Sequence, residues 1–168
     1  MLPEILARAR ALFEDVTPLR TDCGQVCGGV CCQSLPVETT GMLLFPGEAA
    51  YYEGREGYRM QATEQGMLLT CSGRCDRADR PLSCRLFPLL PLVREDGVKV
   101  ATDQRARVIC PLARQGKDAL APEFVGAVRT AGELLAQDGT QRDFLLQLTC
   151  QQDELKALRK QFRRDAHV

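Results

Sequence analysis

Cys23-Gly24-Gln25-Val26-Cys27-Gly28-Gly29-Val30-Cys31-Cys32 is the stretch on which the reading of this chain turns. Four thiols fall within ten residues, with Gly24, Gly28 and Gly29 among them. Holding an ion needs several thiolates gathered by a backbone that can bend around it. Short CxxxC gaps lower the entropy lost in gathering them. Glycine admits the unusual dihedrals that the bend requires. On a regular helix Cys23, Cys27 and Cys31 would form one stripe, but the glycines point to a loop or a broken helix. Cys31 and Cys32 are adjacent, and neighbouring side chains usually diverge. The pair therefore need not serve one ion: one thiol could reach a second metal or pack in the core.

A second group follows at Cys71, Cys75 and Cys84, with Cys110 further on and Gly73 between the first two. The ninth cysteine, Cys150, falls alone in a long helical pattern and reads as a small core residue. Nine is odd, so complete pairing within the chain is impossible. A reducing compartment also disfavours structural disulfides. The single histidine, His167, is one residue from the C-terminus. That removes Cys₂His₂ zinc sites and the common histidine general base. Ligation is expected to be all-thiolate, with room for a carboxylate, and such sites suit zinc and iron–sulfur clusters about equally. Eight thiolates exceed the four that one 4Fe-4S cluster takes. Two zinc ions, two clusters, or one cluster with a supporting set would use them.

Composition narrows the partners. Lys plus Arg and Asp plus Glu each total 22 in 168 residues. That balance gives no general pull toward nucleic acid or an anionic membrane. Aromatics are 5% and Trp is absent, so base stacking has few candidates. No apolar run approaches the ~20 residues needed to span a bilayer. Charges at Glu4, Arg8, Arg10, Glu14 and Asp15 interrupt the N-terminus, unlike a signal peptide. The expectation is a cytoplasmic protein without nucleic-acid or membrane partners.

The rest of the chain reads as one α+β domain over residues 1–168. A helix is expected from Pro3 to Val16 and a short one from Gly47 to Tyr52, with an extended segment at Met67–Thr70. Leu89–Val93 and Val98–Thr102 flank Glu95-Asp96-Gly97, a hairpin signal. Pro91 places the first of those strands at a sheet edge. Arg107–Ile109 suggests a short third strand. Residues 119–165 form a helical C-terminal part. Its first helix is opened by Pro122, and a longer one starts at Thr140, with Asp143 in a loose capping box. Phe144, Leu145, Leu148, Leu155, Leu158 and Phe162 line the longer helix. The picture is a small cysteine-rich centre with a short antiparallel hairpin, flanked by N- and C-terminal helices. The C-terminal helices offer a surface for a protein partner or a homodimer.

At residues 20–112 the sequence resembles the YkgJ-type cysteine-cluster proteins, a zinc- or iron-chelating family nicknamed for CxxCxxCC. The resemblance rests on the Cys23–Cys32 group with its paired ending and on Gly73-Arg74-Cys75. It rests also on Arg80-Pro81-Leu82-Ser83-Cys84-Arg85-Leu86-Phe87-Pro88 and on Cys110. The first group departs from the nickname, with gaps of three residues rather than two. The resemblance implies metal binding through Cys23, Cys27, Cys31, Cys32, Cys71, Cys75, Cys84 and Cys110, and implies no reaction. A larger relative, the flagellin lysine methylases, joins a similar region to protein methylation and is associated with an iron–sulfur cluster. That favours an iron–sulfur cluster over zinc. Arg74, Arg80 and Arg85 are candidates to offset thiolate charge from a second layer. Otherwise Arg80 and Arg85 are exposed or pair with Asp76 and Asp79.

Three functions compete: a structural zinc protein, a metal carrier or sensor, and an iron–sulfur redox or methyl-transfer enzyme. Candidates for acid–base chemistry are Tyr51, Tyr52, Tyr58, Glu48 and Glu53, which equally describe a short helix with a half-buried aromatic face. No phosphate loop, Rossmann fingerprint, Ser-His-Asp set or radical-SAM CxxxCxxC spacing is present in the sequence.

Overall fold

The structure, a computed structural model, describes residues 1–33, 41–73 and 75–165. Helix α1 (Glu4–Ala11) leads to a short α2 (Cys23–Cys27) and a 3₁₀ turn at Val30–Cys32. Strand β1 (Met42–Leu43), helix α3 (Ala49–Tyr52) and strands β2 (Tyr58–Thr63) and β3 (Gly66–Cys71) follow. Next come α4 (Leu82–Leu86), the strands β4 (Leu89–Arg94) and β5 (Gly97–Thr102), and two short helices, α5 (Ala106–Ile109) and α6 (Pro111–Gln115). Two long helices close the chain, α7 (Pro122–Leu135) and α8 (Gly139–Asp165). The fold is α+β, with one antiparallel sheet ordered β1-β3-β2 and a separate β4-β5 hairpin.

The hairpin sits where Glu95-Asp96-Gly97 places it, with Leu89 paired to Thr102 and Arg94 to Gly97. Strand β4 is buried from Leu89 through Val93, because α7 and α8 both pack against it. That explains its unbroken apolar run, which a half-exposed strand would not carry. Pro91 is tolerated because the hairpin has only two strands. Helix α7 approaches the hairpin closely at Gly132. A Cβ there would lie 2.4 Å from Pro91 Cβ and 2.8 Å from Val98 Cγ1. Edge-to-face ring pairs, Phe13 with Phe124 and Phe45 with Phe144, tie α7 and α8 to the N-terminal half.

Several expectations are corrected. Helix α1 ends at Ala11 rather than Val16. Residues 107–109 lie in α5 and not in a strand. The cause is Asp103, which is buried; its carbonyl accepts from Ala106 N at 3.1 Å and its carboxylate from Arg105 N at 2.9 Å. These bonds turn the chain into a helix. At the start of α8 the capping side chain is Asp138, accepting from Gln141 N at 3.0 Å, rather than a Thr140–Asp143 box.

The apolar stripe of α8 is buried only in part. Exposure along one line rises from 3% at Leu148 to 37% at Leu155 and 72% at Phe162, so the helix runs past the end of the body. Cys150 is exposed, not a core residue. Its neighbours Thr149 and Gln152 take the inward face: Thr149 Oγ1 accepts from Val93 N at 3.1 Å, and Gln152 Nε2 donates to Asp103 at 2.9 Å. Among the described residues no helix is long and apolar enough to cross a membrane.

Candidate metal centre

Helix α2 is a single turn, capped by Asp22, whose carboxylate accepts from Gly24 N at 3.1 Å. Cys23 and Cys27 are its first and last residues, one turn apart on one face. Gly28 and Gly29 then both adopt left-handed dihedrals, with φ of 68° and 67°. A residue with a side chain would be strained at either position. Together they reverse the chain into the 3₁₀ turn that carries Cys31 and Cys32. This reversal brings the adjacent pair to the same wall, where divergence was expected.

The second group arrives from three directions. Cys71 ends β3, opposite Tyr58 of β2. Gly73 brings the following loop against the first group, so close that an added Cβ would lie 3.1 Å from Cys32 O. Cys84 is in the middle of α4. Cys110, buried, separates α5 from α6, with its N–H donating to Ala106 O at 2.7 Å.

All eight clustered cysteines line one cavity of about 160 Å³. Its walls are otherwise mostly apolar, from Phe13, Val30, Leu69, Phe87, Ile109 and Leu112, with Asp22, Tyr58 and Arg80 adding polar groups. Cys150 is not among the lining residues. The nine thiols are all free. As placed, no three Cys, His, Asp or Glu side chains among the described residues form a ready metal-holding group. The sulfurs stand around the wall rather than converging at one point.

The thiols nevertheless act on one another. Cys31 donates a hydrogen bond to Cys32, which lowers the Cys32 pKa to about 6 and raises that of Cys31. Cys75 does the same for Cys71, which is also lowered to about 6. Each group thus supplies one thiolate near neutral pH, held by a neighbouring thiol. Burial pushes Cys84 up, and the negative charges of Cys32 and Cys71 push it further. Burial, then Asp22, Cys27 and Cys110, raise Cys23. The two groups are thus close enough for their charges to act on one another.

The loop between Cys75 and Cys84 is pinned by arginines that donate to backbone carbonyls. Arg85 donates to the carbonyls of Arg80 at 3.0 Å, Arg77 at 2.8 Å and Ala78 at 2.9 Å. Arg10 adds a bond to Ala78 O at 2.7 Å, and Arg77 reaches Phe13 O at 3.0 Å. Arg85 therefore holds the loop and does not act as a sulfur donor. Arg80 is half-buried and lines the cavity. Arg74 lies outside the described residues, as does His167.

Of the tyrosine and glutamate candidates, Tyr51, Tyr52 and Glu48 bond within the fold. Tyr51 OH donates to Asp79 Oδ1 and Tyr52 OH to Asp79 O, both at 2.7 Å. Glu48 is fully buried. Its carboxylate accepts from Phe45 N at 3.1 Å and from Leu82 N at 2.9 Å, with Arg10 Nη1 at 3.7 Å. Leu82 is the first residue of α4, so Glu48 anchors the helix that presents Cys84. Sequence reasoning did not find this role, nor the capping of α2 by Asp22. An Asp immediately before a Cys-Gly turn was the available signal for the latter.

Compared with protein-family models, with curated proteins and with solved structures, the chain has no match in any of the three.

Proposed function

We propose that this chain is a metalloprotein that binds zinc or an iron–sulfur cluster through the thiolates of Cys23, Cys27, Cys31, Cys32, Cys71, Cys75, Cys84 and Cys110. One observation carries the reading. Eight of nine cysteines, drawn from segments spread over residues 23–110, line one cavity, while the ninth is exposed elsewhere. Small apolar residues scattered by chance would not gather so selectively.

The donor set fits the group. It is all sulfur, with one carboxylate at Asp22 on the same wall, and thiolate sites suit zinc and iron–sulfur clusters. Cys32 and Cys71, each already favoured as a thiolate, would make first contact with a cation. The other thiols would lose protons as it bound, since metal binding releases protons from its ligands. Chelation calls for rotation of the sulfurs inward from the wall. Bound there, zinc supplies a cross-link between the two groups, and an iron–sulfur cluster supplies electron transfer. The resemblance to YkgJ-type proteins and to flagellin lysine methylases favours iron.

A second reading, a metal carrier or sensor, draws on Cys31. This thiol is exposed while its neighbours are half-buried or buried, and an exposed ligand gives an exchange partner a route in.

Anaerobic purification followed by metal analysis, acid-labile sulfide assay and a visible spectrum tests the proposal. Brown protein with sulfide means an iron–sulfur cluster. Colourless protein with zinc means a structural or carrier role. Protein that neither retains nor takes up either metal sinks the reading.

A further inference from the structure

Of the three arginines that line this cavity, Arg77 and Arg85 donate to backbone carbonyls, and Arg80 has a different environment. Its Nε is buried and has no hydrogen-bond partner among the described residues. None of the ion pairs among those residues involves it. A buried N–H without an acceptor costs about 1–3 kcal/mol, so its persistence calls for a use. Its surroundings are sulfur. Cys75, Cys32 and Asp22 lie nearest its charge, and the guanidinium hydrogen-bonds to the Cys75 sulfur. It lines the same cavity as Cys23, Cys32, Cys71, Cys75 and Cys84, which come from both groups.

The backbone under Arg80 is fixed. Its N–H donates to Arg77 O at 3.3 Å, its carbonyl accepts from Arg85 Nε at 3.0 Å, and Pro81 follows. Eight thiolates exceed the charge of the metal they hold: two divalent ions would leave about four negative charges unbalanced. Those charges lie against a mostly apolar wall, where an uncompensated charge is costly.

Resting on the metal-binding reading above, we infer that Arg80 is a positioning residue of the centre. Its Nε–H donates to ligand sulfur, and its charge offsets the thiolate excess where the two cysteine groups meet. Arg85, which resembles it in sequence, has no such role, because its N–H groups are spent on carbonyls.

The test compares wild type, Arg80→Met and Arg80→Lys. Each full chain is loaded anaerobically with zinc alone and challenged with a chromophoric chelator. Urea unfolding of the metal-free proteins is run alongside. Loss of a partner that hydrogen-bonds a ligand typically weakens metal binding about 10–100-fold. Arg80→Met should lose zinc in that range, Arg80→Lys should recover most of it, and neither metal-free variant should unfold at a lower urea concentration than the metal-free wild type. Wild-type affinity in Arg80→Met overturns the inference and leaves the metal-binding reading standing. Equal weakening in both variants, with a lowered metal-free midpoint, assigns Arg80 to packing and also overturns it. A wild type that takes up neither zinc nor iron removes the metal-binding reading itself, and this inference with it.

Discussion

Replacing Glu48 with Gln tests how the fold presents Cys84. Glu48 is fully buried and engages three partners: the N–H groups of Phe45 and Leu82, and the Arg10 guanidinium. The amide introduced by Glu48→Gln would keep the volume but offer one carbonyl oxygen, and its NH₂ would face the other backbone donor. One buried N–H is then unsatisfied, costing about 1–3 kcal/mol. Arg10, only 5% exposed, also loses its counter-charge, and breaking a buried ion pair from one side costs roughly 3–5 kcal/mol. The costs overlap, because Arg10 keeps its bond to Ala78 O and the pair is long at 3.7 Å. We expect a net loss of about 2–4 kcal/mol. Urea unfolding at neutral pH, with the slope checked for constancy, reads it directly. Adding Arg10→Met should return at least about 1 kcal/mol, since it removes the orphaned charge. A Glu48→Gln protein within about 0.5 kcal/mol of wild type, or strict additivity of the two changes, would refute the anchoring role.

Three further outcomes are expected. Gly132→Ala should destabilise by about 1–3 kcal/mol through overpacking against Pro91 and Val98. Gly126→Ala on the same helix, where an added Cβ meets nothing within 4 Å, should stabilise by about 0.5–1 kcal/mol; thermal unfolding of the pair separates crowding from propensity. Hydrogen bonds from Tyr51 and Arg55 hold the Asp79 carboxyl below its usual pKa. Its contribution is therefore present above the ordinary carboxylate value and is lost as pH falls through the lower folded value. Asp79→Asn should flatten that acid-side decline, by less than about 1 kcal/mol because the pair is exposed; acid titration followed by circular dichroism measures it. Cys75→Ser and Cys84→Ser should each lower bound metal while Cys150→Ser leaves it unchanged, and metal analysis showing the reverse would overturn the ligand assignment.

Much of the fold was legible because it is written in local patterns. The hairpin followed from the turn signal at Glu95-Asp96-Gly97 between Leu89–Val93 and Val98–Thr102, and α7 and α8 from apolar spacing and Pro122. Eight cysteines in two glycine-bearing groups marked the candidate site by residue type alone. The errors came where local pattern lacks information. Apolar spacing identifies a helix face but not where the body beneath it ends, so Leu155, Leu158 and Phe162 are exposed and Cys150 lies outside the core. Extended-looking residues at 107–109 became helical because Asp103, four residues earlier, turned the chain.

The sequence by itself determined which cysteines are candidate ligands and the α+β class. Only the tertiary structure decided that both groups share one cavity, that two left-handed glycines bring Cys31 and Cys32 to the same wall, and that Arg85 is spent on backbone carbonyls. The reason is physical. Arg85 and Glu48 act on backbone carbonyls and N–H groups, which every residue carries, and in the case of Glu48 and Leu82 the partners are 34 residues apart. Such bonds leave no trace in the identity of the partner, so they become visible only when the chain has folded.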